Sequence, residues 1–478
     1  MAALLLLAAW LLWPRRTALP PNSPELVLAA QGLNEYDLTL RLDPDLGVLT
    51  GSQQVNYRND TGSTLKTLVL RTYLNAFETE EKSPAALEEI YDACYPEGFS
   101  PGYLELFDVT WQGENAAWRY LDAENTVLEI DLPAMAAGEE GTLFLRWAAH
   151  IPSCAHRTGY AGGVWQLGNV TPILALYQDG AWRQDAYSPI GDPFVSRCAN
   201  FRVRLHLPEG YVPACTAYLT ETEKGVWEGQ ALAVRDLALC VSDRYAAAQG
   251  MAGNTLVSAY GTDKAGAGRV LAAAKKALET LEKLYGDYPY PSFAVCQADF
   301  PFGGMEYPGL VMLAEGYFAQ DQQDSMELVV AHEAAHQWFY ALVGSDQVNA
   351  AWQDEALCEW AMLRYVKENY GQGSFDTLRH YRIDAPMQEN IPGTLTPGSP
   401  IDYFGSLADY SAVVYGRGGA LLLALDDMLP GGADAFLRSY AENFAFDFVT
   451  RAEFEEYLNG YARMDLTPLT VDYLDTLM

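Results

Sequence analysis

His332-Glu333-Ala334-Ala335-His336, with Glu355 nineteen positions beyond the second histidine, decides how the rest of this 478-residue chain is read. Positions i and i+4 share one face of a helix, so His332 and His336 present two imidazole nitrogens to a single borderline-soft divalent metal. Glu333 stands beside that pair, where a carboxylate takes a proton from water without closing the coordination sphere. A helix is expected here: Asp324 followed by Glu327 reads as a capping box, Leu328, Val329, Leu342 and Val343 are apolar, and Gly344 reads as the stop. From Ala350 to about Tyr370 the chain is free of Gly and Pro and favours a second helix, with Glu355 near its start reaching back as third ligand. Two histidines and one carboxylate leave the fourth position open, as a catalytic zinc ion requires and a structural one does not.

A lone H-E-x-x-H pattern falls by chance on surface helices, so its neighbours carry weight. Trp352-Gln353-Asp354-Glu355-Ala356, with eighteen residues (337 to 354) between His336 and Glu355, resembles the W-x-x-E-G element of the aminopeptidase N-like zinc metallopeptidases, the gluzincin aminopeptidases. Upstream, Gly303-Gly304-Met305-Glu306-Tyr307 resembles their G-x-M-E-N element, with Tyr307 in place of Asn. Downstream, Tyr415-Gly416-Arg417-Gly418 resembles the segment that carries their catalytic tyrosine. The resemblance implies one zinc ion on His332, His336 and Glu355, Glu333 and Tyr415 as catalytic residues, and Gly303, Gly304, Met305 and Glu306 as substrate-binding residues. It also implies a second amine-holding side chain from the amino-terminal domain, for which Asn169 and Gln166 are the candidates. Glu359, one turn beyond Glu355, is either a partner of a ligand histidine or a solvated group.

The roles have physical reasons. A carboxylate at Glu306 distinguishes a terminal ammonium from an internal amide, because only the terminus supplies a charge-assisted hydrogen bond. A phenol at Tyr415 shares the charge that develops on the scissile carbonyl oxygen. The expected activity is hydrolysis of amino-terminal residues from peptides by metal-activated water, with Glu333 as the proton carrier. The alternatives are an endopeptidase or epoxide hydrolase on the same scaffold, or a catalytically silent binding module. Glu306 favours the exopeptidase, and the complete set of ligands, base and tyrosine disfavours the silent module.

Thirty Lys and Arg against 63 Asp and Glu give a net charge of -33, which opposes nucleic acid and anionic membrane surfaces as partners and suits cationic peptides. Seven scattered cysteines with no C-x-x-C pair leave the redox compartment open and at least one thiol unpaired in a monomer. Met1 to Trp13 is almost entirely Ala, Leu and Trp, followed by Pro14-Arg15-Arg16. As a helix that stretch is about 18 to 20 Å long, short of the ~30 Å hydrocarbon core. It is read as a signal-peptide core or a clipped membrane anchor and is set aside from the fold; residues 1-32 are taken as this leader and a linker, favouring a membrane-associated or secreted protein with a cytoplasmic one still open.

From Leu33 to about Gln249 strands alternate: Tyr36, Leu38, Leu40 and Leu42 against Asp37, Thr39 and Arg41; Leu128, Ile130 and Leu132; Phe201, Val203, Leu205 and Leu207. Asn59-Asp60-Thr61-Gly62 marks a turn, and His206 falls with Arg202 and Arg204 on a polar face. After Gly250 a strand near Thr255 to Tyr260 precedes a helix with Leu271, Ala274, Leu278, Leu281 and Tyr285 in register, closed by Gly286. Phe293 to Ala298 reads as a strand leading to the Gly303-Gly304 edge, where an extended peptide adds as a further strand. Pro392 to Ser406 reads as a loop near the cleft, and Thr450 with Glu453 opens the last helix by a capping box.

The fold expected is multidomain α+β: an antiparallel β-sandwich or saddle over 33-249, which resembles the family's amino-terminal domain and includes Arg235-Asp236-Leu237-Ala238, similar to its R-D-F-A strand. A thermolysin-like zinc peptidase domain over 250-478 follows. The resemblance ends with that domain, so a cleft more open to solvent than in relatives enclosed by a further helical domain is also expected.

Overall fold

The alternation over Tyr36–Leu42 becomes the strand Glu35–Asp43, with Tyr36, Leu38, Leu40 and Leu42 buried and the residues between them exposed. Each buried leucine contributes about 1.5–3 kcal/mol through removal of apolar surface from water. The computed structural model describes residues 19–388 and 393–476, so the readings of Met1 to Trp13 and of Pro392 lie outside the described residues. Among the described residues no helix is long and apolar enough to cross a membrane.

The amino-terminal part is β-rich. Its largest sheet runs Thr220–Glu223, Val226–Val234, Ala199–His206, Glu35–Asp43, Val48–Arg58, Glu140–His150, Tyr103–Trp111 and Glu114–Asn115. Pairing is antiparallel except between Glu35–Asp43 and Ala199–His206, which run parallel. Gly51 lies opposite Trp147, and a Cβ there would sit 2.2 Å from the indole, so only glycine lets that ring cross the sheet to meet Gln53 Oε1 through its N–H at 3.2 Å. Two four-stranded sheets and a two-stranded one, Tyr177–Gln178 with Ala181–Trp182, complete this part among the described residues.

A five-stranded sheet opens the helical part, in the order Ala246–Ala252, Thr255–Gly261, Ser292–Ala298, Leu310–Ala314, Gly304–Tyr307. Its first strand straddles residue 250 and pairs throughout with Thr255–Gly261. The last strand, carrying Gly304, Met305 and Glu306, is at the sheet edge. The helix Lys264–Tyr285 is capped by Asp263, whose carboxylate accepts from Gly266 N at 2.7 Å, and it stops at Gly286, φ 101°. Thr450 and Glu453 form the capping box that opens Arg451–Ala462.

Two expectations are corrected. Asp324 and Glu327 do not cap the first zinc-motif helix, which runs Gln323–Ala335 with no side-chain cap. Glu327 instead accepts from Lys276 Nζ at 2.7 Å and Tyr370 OH at 2.6 Å, and from Tyr365 OH, so donors on neighbouring helices outcompete the backbone. Nor does regular helix continue to Gly344: a wide-turned segment, Gln337–Leu342, follows and breaks at Phe339 (φ −106°, ψ 49°). Arg235 accounts for the break, donating to Tyr340 O at 2.8 Å and Leu342 O at 3.2 Å, the carbonyls a continued helix would use.

Candidate metal centre and active-site cleft

His332 lies in the last turn of Gln323–Ala335, His336 caps its end, and Glu355 lies in the first turn of Trp352–Tyr370. The two helices pack so that three atoms converge. His332 Nε2 stands 3.2 Å from Glu355 Oε2, His336 Nε2 3.4 Å from the same oxygen, and the two Nε2 atoms are 3.2 Å apart. Tetrahedral ligands about 2.0–2.1 Å from zinc are themselves ~3.3 Å apart, so the donor set and its spacing fit one zinc ion.

Each histidine has a carboxylate behind it. His336 Nδ1 is 2.5 Å from Asp354 Oδ1, both groups fully buried, and Gln347 Nε2 donates to the other Asp354 oxygen. His332 Nδ1 is 3.6 Å from Glu359 Oε2, and Glu359 is clamped by Arg382, whose Nε and Nη2 donate to its two oxygens at 2.7 Å each. The Asp354 carboxylate on His336 Nδ1 directs that ring's Nε2 lone pair at the metal position, whereas Glu359 stands near His332 Nδ1 without hydrogen-bonding to it. Burial opposes ionisation of Glu355, but hydrogen bonds from both histidines and their charge outweigh it and hold its carboxyl well below the usual range. For His336 the desolvation is outweighed by nearby Cys358 and Asp354, which favour its protonated form in the absence of an ion.

Glu333 is buried, and burial pushes its pKa up to about 7 against the lowering influence of the two histidines. Gly304 explains how the edge strand approaches it: a Cβ at Gly304 would lie 2.4 Å from Glu333 Oε1. Gly303 is under no such constraint, since its Cβ would meet Val329 at an ordinary 3.5 Å. Glu306 is also buried, and burial followed by the charge of Asp192 drives its carboxyl well above the usual range. Glu306 Oε1 and Glu333 Oε2 have no hydrogen-bond partner among the described residues. Buried acceptors left open at a cleft are completed by something that enters it. Tyr415 lies in the wide-turned segment Ser411–Arg417 and stacks on His332, ring centroids 5.6 Å apart. Its phenol is raised by burial and then by the charge of Glu355.

His332, His336, Glu355, Glu333, Glu306, Arg382 and Tyr415 line one cleft of about 480 Å³. Met305 is buried at its wall, its sulfur accepting from Arg157 Nη1 at 3.2 Å. Tyr307 turns away and donates to Asn169 Oδ1 at 2.6 Å, while Asn169 Nδ2 donates to Asp236 at 2.7 Å. Asn169 is therefore committed, and so is Gln166, bonded to His156 O, Asp299 O and Asp299 N; neither is free to hold an amine. The group from the β-rich part that does line the cleft is Asp192, paired with Arg157, whose guanidinium lies over Phe194 and Phe302. Sequence reading missed Asp192, Arg382 and the Asp354 contact, because no local spacing marks them.

Residues 270–473 match the peptidase family M1 domain. Leukotriene A-4 hydrolase of Xenopus laevis is 30% identical over 204 residues, which cover 40% of this chain and 32% of that protein. Aminopeptidase N of Lactococcus lactis subsp. lactis is 26% identical over 366 residues, covering 68% and 41%. The chain thus spans about a third to two fifths of the length of these curated relatives. The crystal structure of an M1 zinc metallopeptidase from Deinococcus radiodurans superposes with a TM-score of 0.66 at 18% identity, covering 92% of each chain. Over residues 270–473 the chain thus resembles the M1 family of zinc metallopeptidases, gluzincin hydrolases with a single catalytic zinc ion.

Proposed function

We propose that this chain is a zinc-dependent aminopeptidase that hydrolyses amino-terminal residues from peptides, with the metal on His332, His336 and Glu355. The observation that carries the reading is Glu306: a buried carboxylate with one oxygen unpartnered, on an edge strand, within reach of Glu333 and His336. A terminal ammonium satisfies such a group by a charge-assisted bond, whereas an internal amide supplies no charge. An endopeptidase has no use for it.

Zinc, when bound, supplies a Lewis acid that polarises the scissile carbonyl and lowers the pKa of the attacking water. Glu333 accepts the proton from that water and returns it to the departing amine; a pKa about 7 lets one group act in both directions near neutrality. Tyr415, kept as a phenol by burial, donates a hydrogen bond to the carbonyl oxygen as it gains charge. Gly304 and Met305 lie in the edge strand along which the substrate backbone runs, Gly303 leads into it, and Gly304 leaves room for Glu333.

Aminoacyl chromogenic amides and their N-acetylated counterparts test the reading. The free amines are hydrolysed and the blocked ones are not, and Glu306→Gln lowers kcat/KM for free amines by about 10- to 100-fold, the effect of losing a hydrogen bond to a charged group. Equal turnover of blocked and free substrates contradicts it.

A further inference from the structure

The cleft has two ends, set by its histidines. Glu306 and Glu333 lie within 4.8 Å of His336, whereas Glu359, Arg382 and Tyr415 gather around His332. A peptide with its ammonium at Glu306 and its scissile carbonyl between the histidines therefore sends its departing portion toward Arg382. Of the two arginines lining the cleft, Arg157 is walled in, bonded to Asp192, Gly191 O and Met305, and only 7% exposed. Arg382 is different: its side chain is 42% exposed.

Glu359 takes Nε and Nη2 of Arg382, one edge of the guanidinium fork. Nη1, on the opposite edge, has no hydrogen-bond partner among the described residues, and Arg382 lines the cleft. Because Glu359 is fully buried and bidentate, it fixes the plane of the guanidinium before any ligand arrives. The other carboxyl groups of the cleft, Glu306, Glu333, Glu355 and Asp192, offer an anion on the substrate no cation, and Arg157 is already paired with Asp192. A fixed cationic fork at one end of an otherwise acidic cleft is a carboxylate receptor.

We propose that Arg382 binds a carboxylate on the departing portion of the peptide, either the carboxyl terminus of a dipeptide or an acidic side chain in its second residue, and so sets a preference for such substrates. This rests on the aminopeptidase reading. The competing role for Arg382 is purely internal, steadying Glu359 behind His332; that role affects all substrates alike.

The test compares kcat/KM for a dipeptide and the same dipeptide amidated at its carboxyl terminus, and, in a second arm, for carboxyl-amidated dipeptides with Glu or Gln in second place. The ratio of charged to uncharged substrate within one enzyme preparation cancels any general damage to the metal centre. For the wild type the proposal expects the acid to exceed the amide by on the order of 10-fold in at least one arm, and the arm that responds identifies the source of the carboxylate. In Arg382→Gln that ratio collapses to one or below. Arg382→Lys keeps the charge and loses the fork, giving an intermediate ratio. A wild-type enzyme indifferent to the charge in both arms, or a ratio unchanged in Arg382→Gln, overturns the proposal and leaves the aminopeptidase reading intact. N-acetylated dipeptides cleaved as fast as free ones overturn that reading, and this proposal with it.

Discussion

Asp354 is the residue whose neighbourhood says most about the centre's affinity. It sits one position before the ligand Glu355, yet its carboxylate turns to the other helix and meets His336 Nδ1 at 2.5 Å in full burial. Burial pushes its pKa up to about 6, against the pull of His336 and the amide of Gln347. A carboxylate there fixes the imidazole's tautomer and raises its basicity toward the metal, whereas an amide offers only the first of these effects. Asp354→Asn is therefore expected to weaken zinc binding by about 10- to 100-fold, read by competition against a chelator of known affinity. An unchanged affinity would reduce Asp354 to a packing group. At this scale the convergence of the three candidate ligands is legible in the sequence, and their supports are not. His332, Glu333 and His336 are readable because a helix converts a spacing of four into proximity. The His336–Asp354 and Glu359–Arg382 contacts depend on how two helices pack and on a later turn, and no periodicity encodes them.

The zinc-motif helix is stopped, not merely ended. Arg235, 2% exposed, reaches from the β-rich part and donates to Tyr340 O, Leu342 O, Ser196 O at 3.2 Å and Asp447 O. Gly344 makes room for it, since a Cβ there would lie 2.4 Å from the guanidinium carbon. This gives the Arg235-Asp236-Leu237-Ala238 stretch a physical meaning: it joins the β-rich part to the end of the helix that carries both histidines. Arg235→Met removes the charge and strands the carbonyls, so we expect a loss of at least about 3 kcal/mol in denaturant unfolding. A loss below 1 kcal/mol would mean that water replaces the guanidinium without penalty. The strands and the long helix Lys264–Tyr285 were readable from periodicity, but the break at Phe339 was not. Leu342 and Val343 look helical locally, and the arginine that takes the helix's carbonyls is more than a hundred residues away in sequence.

Across the whole molecule, the two parts are also joined by a buried polar chain, Tyr307 to Asn169 to Asp236. Burial pushes Asp236 up to about 7, opposed by its bonds from Leu237 N and Asn169. A carboxyl whose pKa is raised on folding stabilises the fold while it stays protonated, and that contribution is lost as pH rises from the unfolded value of 3.8 through about 7. Asp236→Asn should therefore remove part of the decline in stability between pH 4 and pH 7, visible when Tm is followed against pH for both proteins. Parallel profiles would show that Asp236 titrates alike folded and unfolded. Replacing Asn by Tyr307 after the glutamate of the edge strand is what brings this chain to Glu306's neighbour; a Cβ at Gly168 would strike its hydroxyl at 2.0 Å. That a β-rich part precedes a helical one was legible from the switch in periodicity, whereas the polar chain across them was not, because its members lie 67 and 138 residues apart.

In the proposed centre two imidazoles and one carboxylate from adjacent helices hold one ion while Glu333 beside them carries the proton. The most direct measurement is zinc per chain, by elemental mass spectrometry after dialysis, for the wild type, Glu333→Gln and His336→Ala, with turnover assayed on the same samples. One zinc is expected in the wild type, one zinc with turnover lowered by at least about 100-fold in Glu333→Gln, and none in His336→Ala. Zinc retained in full by His336→Ala, or ordinary turnover by Glu333→Gln, would contradict that arrangement.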